Sequence, residues 1–509
     1  MNGVKKATTV RGSDIFPAPV YRRTVLEEIF KNAQVYFLEP LLAIERAHTL
    51  MLAGQKIIPQ ESAAICLRGL ERLDAEQIKR ESYDPDVEDL YFYIEKKLIE
   101  LCGAEHAGRM RTARSRNDVD MTMYRMVLRA RTLAVLQSLL VLREVMVNLA
   151  WDHRASLITA YTHQQPAQPT TLGHYLMASV EWMERDARRL QAAYSNLNRS
   201  PLGACAITGT GFPIDRDYTG ALLGFEGLEL NTFGAIASVD YLTEVCSTLM
   251  VSMVNLGRFT QDLLLWSTAE FAYLTLSDAF VQVSSIMPQK RNPVALEHVR
   301  ILASRALTQA QGVLTSLHNT PFADMNDAED GLQPTAYSAF DDAARALDLA
   351  AGLLETARFD TELMEERAHS NFLTVTELAD VLVRSSGISF RTAHEIVSMA
   401  VKQAGHRDGS SDPQTIIDGV ERAYPQVTGK AMGIAQQLLH RALDPRHFVD
   451  VRKTPGGPCA EVLAQAISAA REKLAADRSW MQTAAAHVEQ AQQRLEEQTK
   501  AFLASTPAA

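Results

Sequence analysis

The feature that most restricts the fold of this chain is the long absence of helix-breaking residues. Residues 109–165 contain neither glycine nor proline, residues 214–287 contain no proline, and residues 294–320 contain one glycine, Gly312. Glycine and proline are the residues that most disfavour a helix interior. Because these segments exceed the roughly 8–20 residues of a usual globular helix, they predict a bundle of unusually long helices.

Hydrophobic periodicity supports this prediction in the segment that follows Ser238, which we expect to cap a helix. Apolar residues recur there every three or four positions, at Leu242, Val245, Leu249, Met253 and Leu256. This is the spacing of one helix face. Other faces of the same segment are also apolar, for example at Val251 and Val254. A helix that is apolar nearly all round needs many neighbours, so we expect the chain to form an oligomer.

No β-rich region is visible, and 509 residues are too many for one ordinary domain. We therefore predict an all-α protein of three helical domains. These are an N-terminal helical domain at residues 1–115, a central bundle of long helices at residues 116–370, and a C-terminal helical domain at residues 371–509.

Composition excludes several classes of protein. The net charge of −10 is unlike that of a nucleic-acid-binding domain or of a protein that binds anionic membranes. The five cysteines are far apart and form no C-x-x-C pair, which argues against a zinc ribbon and favours a reducing compartment. Residues 1–14 carry no apolar run typical of a secretory signal, and no uncharged apolar stretch is long enough to span a membrane. We expect a soluble, cytoplasmic protein.

Three separate segments combine polar residues in ways that core packing does not explain. The first is TARSRND at residues 112–118, near the start of a long predicted helix. Arginine forks and a helix N-terminus both suit carboxylates, although a capped helix start with solvated arginines is the simpler interpretation.

The second segment is YTHQQPAQP at residues 161–169. His163 has the chemistry of a general acid or base, although a lone histidine at a helix end is more often a surface group.

The third segment is SSIMPQKRNP at residues 284–293, followed by Glu297. Its serines, lysine and asparagine lie in a loop that is bracketed by prolines and joins two long helices. Such a loop can move while its anchors stay rigid, as an active-site lid requires.

Together these motifs resemble those of a known enzyme family. The serine–lysine loop is similar to the G-S-S-x-x-P-x-K-x-N-P element of the fumarase/aspartase superfamily, with Val283 in place of the usual glycine. TARSRND resembles the T-G-R-S-R-N-D stretch of the argininosuccinate lyase family, and YTHQQPAQP resembles its Y-T-H-L-Q-x-A-Q-P stretch. The likeness extends over roughly residues 40–475.

The resemblance implies an anti β-elimination that releases fumarate from an N-substituted aspartate. Ser284 would take the Cβ proton, Lys290 would stabilise negative charge, and Glu297 would orient His163. The residues that would hold the succinyl part of the substrate are Ser115, Arg116, Asn117, Thr162, Gln165, Asn292 and Met287. In the family the three motifs meet where subunits of a homotetramer adjoin, so the resemblance also implies a homotetramer whose sites are shared by three subunits. No metal and no organic cofactor are implied, and the acidic residues 324–330 do not have the pattern of a calcium loop.

The part of the site that would bind the amine departs from the family pattern. Polar family residues are replaced or altered at Tyr91, Val245, Met325, Asp330 and Gln333. Such changes alter the leaving group that a site accepts. We therefore expect a paralogue that acts on another N-substituted aspartate, for example an aminopolycarboxylic acid of the ethylenediamine-disuccinate type.

Three alternatives stay open at this stage. The chain could be a genuine argininosuccinate lyase, another superfamily enzyme such as adenylosuccinate lyase or fumarase, or a crystallin-like structural protein that keeps the fold without activity. The presence of Ser284, His163, Lys290 and Glu297 argues against the structural protein.

Overall fold

A computed structural model describes residues 16–405 and 412–506, and it confirms the prediction of an all-α fold. The residues considered for a signal sequence lie outside the described ranges. The N-terminal region is formed by short helices joined by turns, with a π-helical turn at Arg22–Leu26 after the first. They are α1 (Pro19–Tyr21), α2 (Glu27–Tyr36), α3 (Leu38–Gly54), α4 (Gln60–Glu71), α5 (Ala75–Ile78), α6 (Leu90–Cys102) and α7 (Ala104–Met110).

Long helices form the centre of the molecule. They are α8 (Arg116–Asp152), α9 (Leu172–Leu197), α12 (Asp240–Trp266), α13 (Val294–Leu317) and α14 (Gln333–Thr356), with the short α10 (Arg216–Leu222) and α11 (Thr232–Ala237) before α12. Each long helix packs on the next, and α14 returns to α8, so the five enclose a common core. The core is filled by leucine, methionine and alanine, and Leu242 and Leu249 on α12 are fully buried. The predicted long-helix bundle is therefore present.

The longest helix of this bundle, α8, follows directly from the sequence. It runs for 37 residues through the stretch that lacks glycine and proline. By length and composition alone it could cross a membrane, but 56% of its most apolar window is buried inside the protein. This burial is typical of the central helix of a bundle.

The C-terminal region contains a second hydrophobic core. It is formed by α16 (Val375–Ser386), α17 (Phe390–Ala404), α18 (Pro413–Thr428) and α19 (Gln436–Ala442). α15 (Thr361–Ala368) packs on the strand Leu157–Thr162, and α20 (Pro445–Asp450) packs on α19. The last helix, α21 (Ala460–Ser505), returns to the main core and packs on α8 and α9. The domain boundaries near residues 115 and 370 stay predictions.

Three small two-stranded sheets interrupt the helices. β1 (Leu157–Thr162) pairs with β2 (Gln165–Thr171), β3 (Leu274–Thr275) with β6 (Arg358–Phe359), and β4 (Gln282–Val283) with β5 (Arg291–Asn292), all antiparallel.

Two local predictions were wrong. His163 lies at the tip of the first hairpin and not at a helix end, and Ser238 ends α11, because α12 begins two residues later with Val239 as its N-cap. The polar residues of interest therefore lie at hairpin tips and at one helix end.

Candidate active site

The first polar segment forms the N-terminus of α8. Ser115 is the N-cap residue, and its backbone N–H donates to Asp118 Oδ1 at 2.9 Å in a capping box. The Ser115 hydroxyl donates to the side-chain oxygen of Asn117 at 2.7 Å. Free N–H groups and the partial positive charge of a helix N-terminus favour an anion at such a position. Local sequence thus brings Ser115, Arg116 and Asn117 together at one helix end.

Asp118 connects this helix end to a neighbouring loop. Its Oδ2 accepts hydrogen bonds from the backbone N–H groups of Gly203 at 2.7 Å and Cys205 at 3.2 Å. The side chain has no exposed surface, and burial raises the pKa of Asp118 to about 6 in spite of these donors. Gly203 has a φ of 88°, and a Cβ there would lie 2.7 Å from the Arg216 side chain. The motif residue Asp118 is therefore a structural anchor, a role that the sequence did not predict.

Arg116 is surrounded by acidic side chains. Its Nη1 lies 3.0 Å from Glu88 and 2.8 Å from Asp89, and its Nε lies 3.9 Å from Asp120. The neighbouring Asn117 donates from its amide nitrogen to Asp324. The segment predicted to bind the succinyl carboxylates is thus already in contact with protein carboxylates from three parts of the chain.

The second polar segment forms the tip of the β1–β2 hairpin. Thr162 pairs with Gln165, and the two residues between them, His163 and Gln164, have φ values of 51° and 61°. Positive φ at two successive residues is typical of a tight hairpin turn. All four side chains are exposed. His163 therefore lies at the exposed tip of the hairpin, where a group from outside the hairpin could contact it.

The third polar segment is the loop between β4 and β5, which we call the serine loop (residues 284–290). The Ser284 hydroxyl oxygen accepts hydrogen bonds from the backbone N–H groups of Met287 at 3.1 Å and Ile286 at 3.4 Å. At the base of the loop, the Asn292 side chain donates to the carbonyl of Gln282 at 3.0 Å. Backbone donors at a serine oxygen favour negative charge on that oxygen.

The remaining residues of this segment are open to solvent in the isolated chain. Met287 has 37% of its surface exposed, Ile286 has 83%, and Lys290 and Glu297 are also exposed. Within the described residues of one chain, no hydrogen bond or ion pair joins the serine loop, the His163 hairpin and the α8 N-terminus to one another. The three predicted segments therefore share no polar contact within the described part of one chain.

The residues predicted to select the amine fall into two groups. Asp330 and the partly exposed Met325 lie in the segment before α14, and Arg116 acts electrostatically on Asp330. Gln333 is fully buried at the start of α14 and donates to the Tyr241 hydroxyl at 3.1 Å.

The other two residues of this set are deeper in the protein. Tyr91 is buried, with its ring centroid 4.6 Å from the guanidinium carbon of Arg111 and 5.7 Å from that of Arg114. Val245 is fully buried among apolar side chains of the bundle core, which explains why an apolar residue is stable there.

The pKa values of Asp120, Glu329 and Asp330, which interact with Arg116, are raised. Burial, followed by the neighbouring carboxylates Asp324 and Asp330, raises the pKa of Glu329 to about 7. Burial and then Asp89 raise the pKa of Asp330 to about 6. Burial and the same like-charged neighbours raise the pKa of Asp120 well above its ordinary value. Asp120 and Glu329 were not predicted as site residues, although the acidic stretch 324–330 was a visible signal.

Comparison with known proteins agrees with the motifs. Residues 47–308 match a lyase family model, and residues 372–450 match the model of the argininosuccinate lyase C-terminal region. Argininosuccinate lyase 2 of Agrobacterium fabrum is 41% identical over 462 residues, which cover 91% of this chain and 92% of that protein.

Solved structures add a second kind of relative. EDDS lyase in complex with formate has a TM-score of 0.85 and 34% identity, with 93% of each chain covered. A variant of EDDS lyase with bound fumarate has a TM-score of 0.84 at the same identity and coverage. The chain therefore belongs to the argininosuccinate lyase family of the fumarase/aspartase superfamily, and it is a fumarate-forming carbon–nitrogen lyase.

Proposed function

We propose that this enzyme cleaves an N-substituted aspartate other than argininosuccinate to fumarate and an amine. The observation that carries the proposal is the combination of an intact serine loop with an altered amine side. The Ser284 oxygen accepts two backbone hydrogen bonds, while Asp330 and Met325 stand where the family has polar residues that engage arginine. The 34% identity to EDDS lyase supports an aminopolycarboxylic acid such as a disuccinate as the first candidate substrate.

In the proposed reaction Ser284 takes a proton from Cβ of the aspartate unit. The electron pair left on Cβ forms the double bond of fumarate as the bond between Cα and nitrogen breaks, and the nitrogen gains a proton. Lys290 would favour the ionised serine. At ~4 Å and an effective dielectric near ~20, its attraction is about 4 kcal/mol. This equals roughly three pKa units, too few alone to ionise a serine at neutral pH.

Other groups must therefore assist Ser284. The Met287 N–H, 3.1 Å from the serine oxygen, is one such donor. Closure of the serine loop would exclude water and strengthen every interaction inside the site. His163, oriented by Glu297, would exchange a proton with the leaving nitrogen or with a water beside it. Ser115, Arg116, Asn117, Thr162, Gln165 and Asn292 would hold the two carboxylates of the succinyl unit, under Met287.

We further propose a cytoplasmic homotetramer in which each site combines the three polar segments from three subunits. The separation of these segments within one chain supports this arrangement. So does the exposed apolar surface of α12, where Val251 and Val254 are 42% and 46% exposed. Burial of such a surface against another chain would be favourable.

A genuine argininosuccinate lyase is the second candidate, and the 41% identity to argininosuccinate lyase 2 of Agrobacterium fabrum favours it. The two candidates differ in the amine released.

The test follows fumarate formation by its ultraviolet absorbance with argininosuccinate, ethylenediamine-disuccinate and adenylosuccinate as substrates. We expect fumarate from ethylenediamine-disuccinate or a related substituted aspartate, and none from the Ser284→Ala variant. Ser277→Ala is the matched control, because the Ser277 hydroxyl accepts a similar backbone hydrogen bond, from Ala279 at 3.4 Å, outside the motif. Fast cleavage of argininosuccinate would contradict the altered specificity, and full activity of Ser284→Ala would contradict the mechanism.

A further inference from the structure

The backbone that leads into the α8 N-terminus has an unfavourable conformation at one residue. Ala113, two residues before Ser115, has a φ of 61°. Positive φ is disfavoured for a residue with a Cβ, because the Cβ approaches the following carbonyl oxygen. The T-G-R-S-R-N-D stretch that this segment resembles has glycine at this position, and glycine adopts positive φ without such strain. In this chain other contacts must therefore hold the conformation of Ala113.

Side chains of α3 hold the residues on either side of Ala113. The carbonyl of Thr112 accepts a hydrogen bond from Nε2 of the buried His48 at 2.9 Å. On the other side, Nη2 of Arg114 donates to both carboxylate oxygens of Glu45 at 2.7 Å, and both of these side chains are buried. The peptide groups before and after Ala113 are thus tied to one helix of the N-terminal region.

The carbonyl of Ala113 itself accepts a hydrogen bond from the thiol of Cys205. The distance from Sγ to the carbonyl oxygen is 3.2 Å, and Cys205 is buried. Burial, followed by the charge of Asp118, raises the pKa of Cys205 to about 11. The thiol therefore keeps its proton at neutral pH and acts there as a donor.

Cys205 is itself held in place at positive φ. Its φ is 55°, and its backbone N–H donates to Asp118 Oδ2 at 3.2 Å. The preceding residue, Ala204, accepts a backbone hydrogen bond from Gly209 at 2.9 Å, which closes the loop around Cys205. Residues with a Cβ stay at positive φ only where the surrounding contacts hold them, and such residues are common at functional sites. Two of them, Ala113 and Cys205, share one hydrogen bond directly before the α8 N-terminus.

We propose that Cys205 is a positioning residue whose thiol, by holding the Ala113 carbonyl, fixes the direction in which Ser115, Arg116 and Asn117 present their polar groups to the substrate. This role rests on the proposed function, in which these three residues bind the succinyl carboxylates. The thiol itself takes no part in the chemistry.

The expected defect is in binding. Without the thiol donor, the turn at Ala113 can relax towards an ordinary negative φ, and the helix start that follows it is no longer fixed. Carboxylate binding then loses its preorganised geometry. Proton transfer by Ser284 is affected less, because Ser284 lies in the separate serine loop.

The test measures the Kd of fumarate by isothermal titration calorimetry. Fumarate is a suitable probe because the enzyme forms it whatever amine is released. For Cys205→Ala we expect the Kd to rise about fivefold, the effect of one net hydrogen bond. KM for the substrate should rise by a similar factor while kcat stays within about twofold, as expected for the loss of a binding interaction.

A conservative variant distinguishes the donor from the volume of the side chain. Cys205→Ser should bind fumarate within about twofold of the wild type, because a hydroxyl also donates to the Ala113 carbonyl. Cysteine, alanine and serine all carry a Cβ, so the strain at position 205 is similar in the three proteins.

Two further variants separate positioning from stability. In Ala113→Gly/Cys205→Ala the glycine adopts positive φ unaided, so the Kd of fumarate should return to within about twofold of the wild type. Cys246→Ala removes a fully buried thiol from the bundle core on α12, which costs stability but should leave the Kd unchanged. If Cys205→Ala does not fold alone, the double variant is compared with Ala113→Gly, and the two should bind fumarate equally.

Three results would overturn this role of Cys205: unchanged fumarate affinity of Cys205→Ala, an equally weak Cys205→Ser, or the same loss of affinity in the Ala113→Gly background. Each would leave the proposed function standing, because that proposal concerns the amine. Preferred cleavage of argininosuccinate would overturn the proposed function, while the expected order of fumarate Kd values would still support the role of Cys205.

Discussion

Asp118 provides the most direct test of how the fold supports the α8 N-terminus. Its carboxylate accepts three backbone hydrogen bonds, from Ser115 at 2.9 Å, Gly203 at 2.7 Å and Cys205 at 3.2 Å, and it has no exposed surface. The Asp118→Ala variant would leave all three N–H groups buried without an acceptor.

The expected loss of stability follows from these contacts. A buried donor without a partner costs about 1–3 kcal/mol, so three cost roughly 3–9 kcal/mol. Part of this loss of stability is offset, because Asp118→Ala no longer buries a carboxylate charge. The pKa of Asp118 rises from 3.8 to about 6. A rise of about two units corresponds to roughly 3 kcal/mol, since each unit is about 1.4 kcal/mol. We expect a net loss of about 3 kcal/mol in the free energy of unfolding, or roughly a hundredfold in the folded-to-unfolded ratio.

The assay is urea denaturation at fixed protein concentration, with Asp360→Ala as the matched control. Asp360 is an exposed N-cap residue that accepts one backbone hydrogen bond, from Leu363 at 3.0 Å, and its loss should cost about 1 kcal/mol. In the folded Asp118→Ala protein, KM for the substrate should also rise more than kcat falls, because Ser115 and Asn117 lose their anchor. Equal destabilisation by the two variants would refute the reasoning.

Three further predictions follow from other contacts. Fully buried Arg143 on α8 binds Asp477 of α21 and lies 3.3 Å from Glu184 of α9, so Arg143→Met should cost about 3 kcal/mol and expose α21 to early proteolysis. Unchanged proteolysis of α21 would contradict this. If sites combine segments of different subunits, co-expressed Ser284→Ala and His163→Asn chains should regain part of the activity that each lacks alone, as measured by fumarate release. No recovery in a verified mixed oligomer would argue for sites within one chain. The folded pKa of Glu329, about 7, lies above its ordinary 4.5, so its contribution to stability is complete below pH 4.5 and is lost as pH rises through about 7. Between pH 4.5 and about 7, the urea midpoint should therefore fall less for Glu329→Gln than for the wild type. Identical pH profiles of the two proteins would refute the raised pKa of Glu329.

The sequence predicted the fold class well because its main signals are local. Helix formation depends on spacing within a few turns and on the absence of breakers, and α8 occupies most of the stretch without glycine or proline. The same rule failed at residues 157–171. No glycine or proline separates the end of α8 from His163, yet a hairpin forms there, with His163 and Gln164 at positive φ. Strand pairing with β2 and packing against α15 determine that hairpin, and neither is visible in a local pattern.

The sequence by itself determined the helical bundle, the family and the three polar motifs, since each is encoded in contiguous residues. Only the tertiary structure decided the electrostatic environment of Arg116. Asp89, Asp120 and Glu329 are far apart in the chain and act on one another only after α8 and the segments that carry Asp89 and Glu329 are packed together. Charge interactions depend on distance and burial in space, so a pattern along the chain does not contain them.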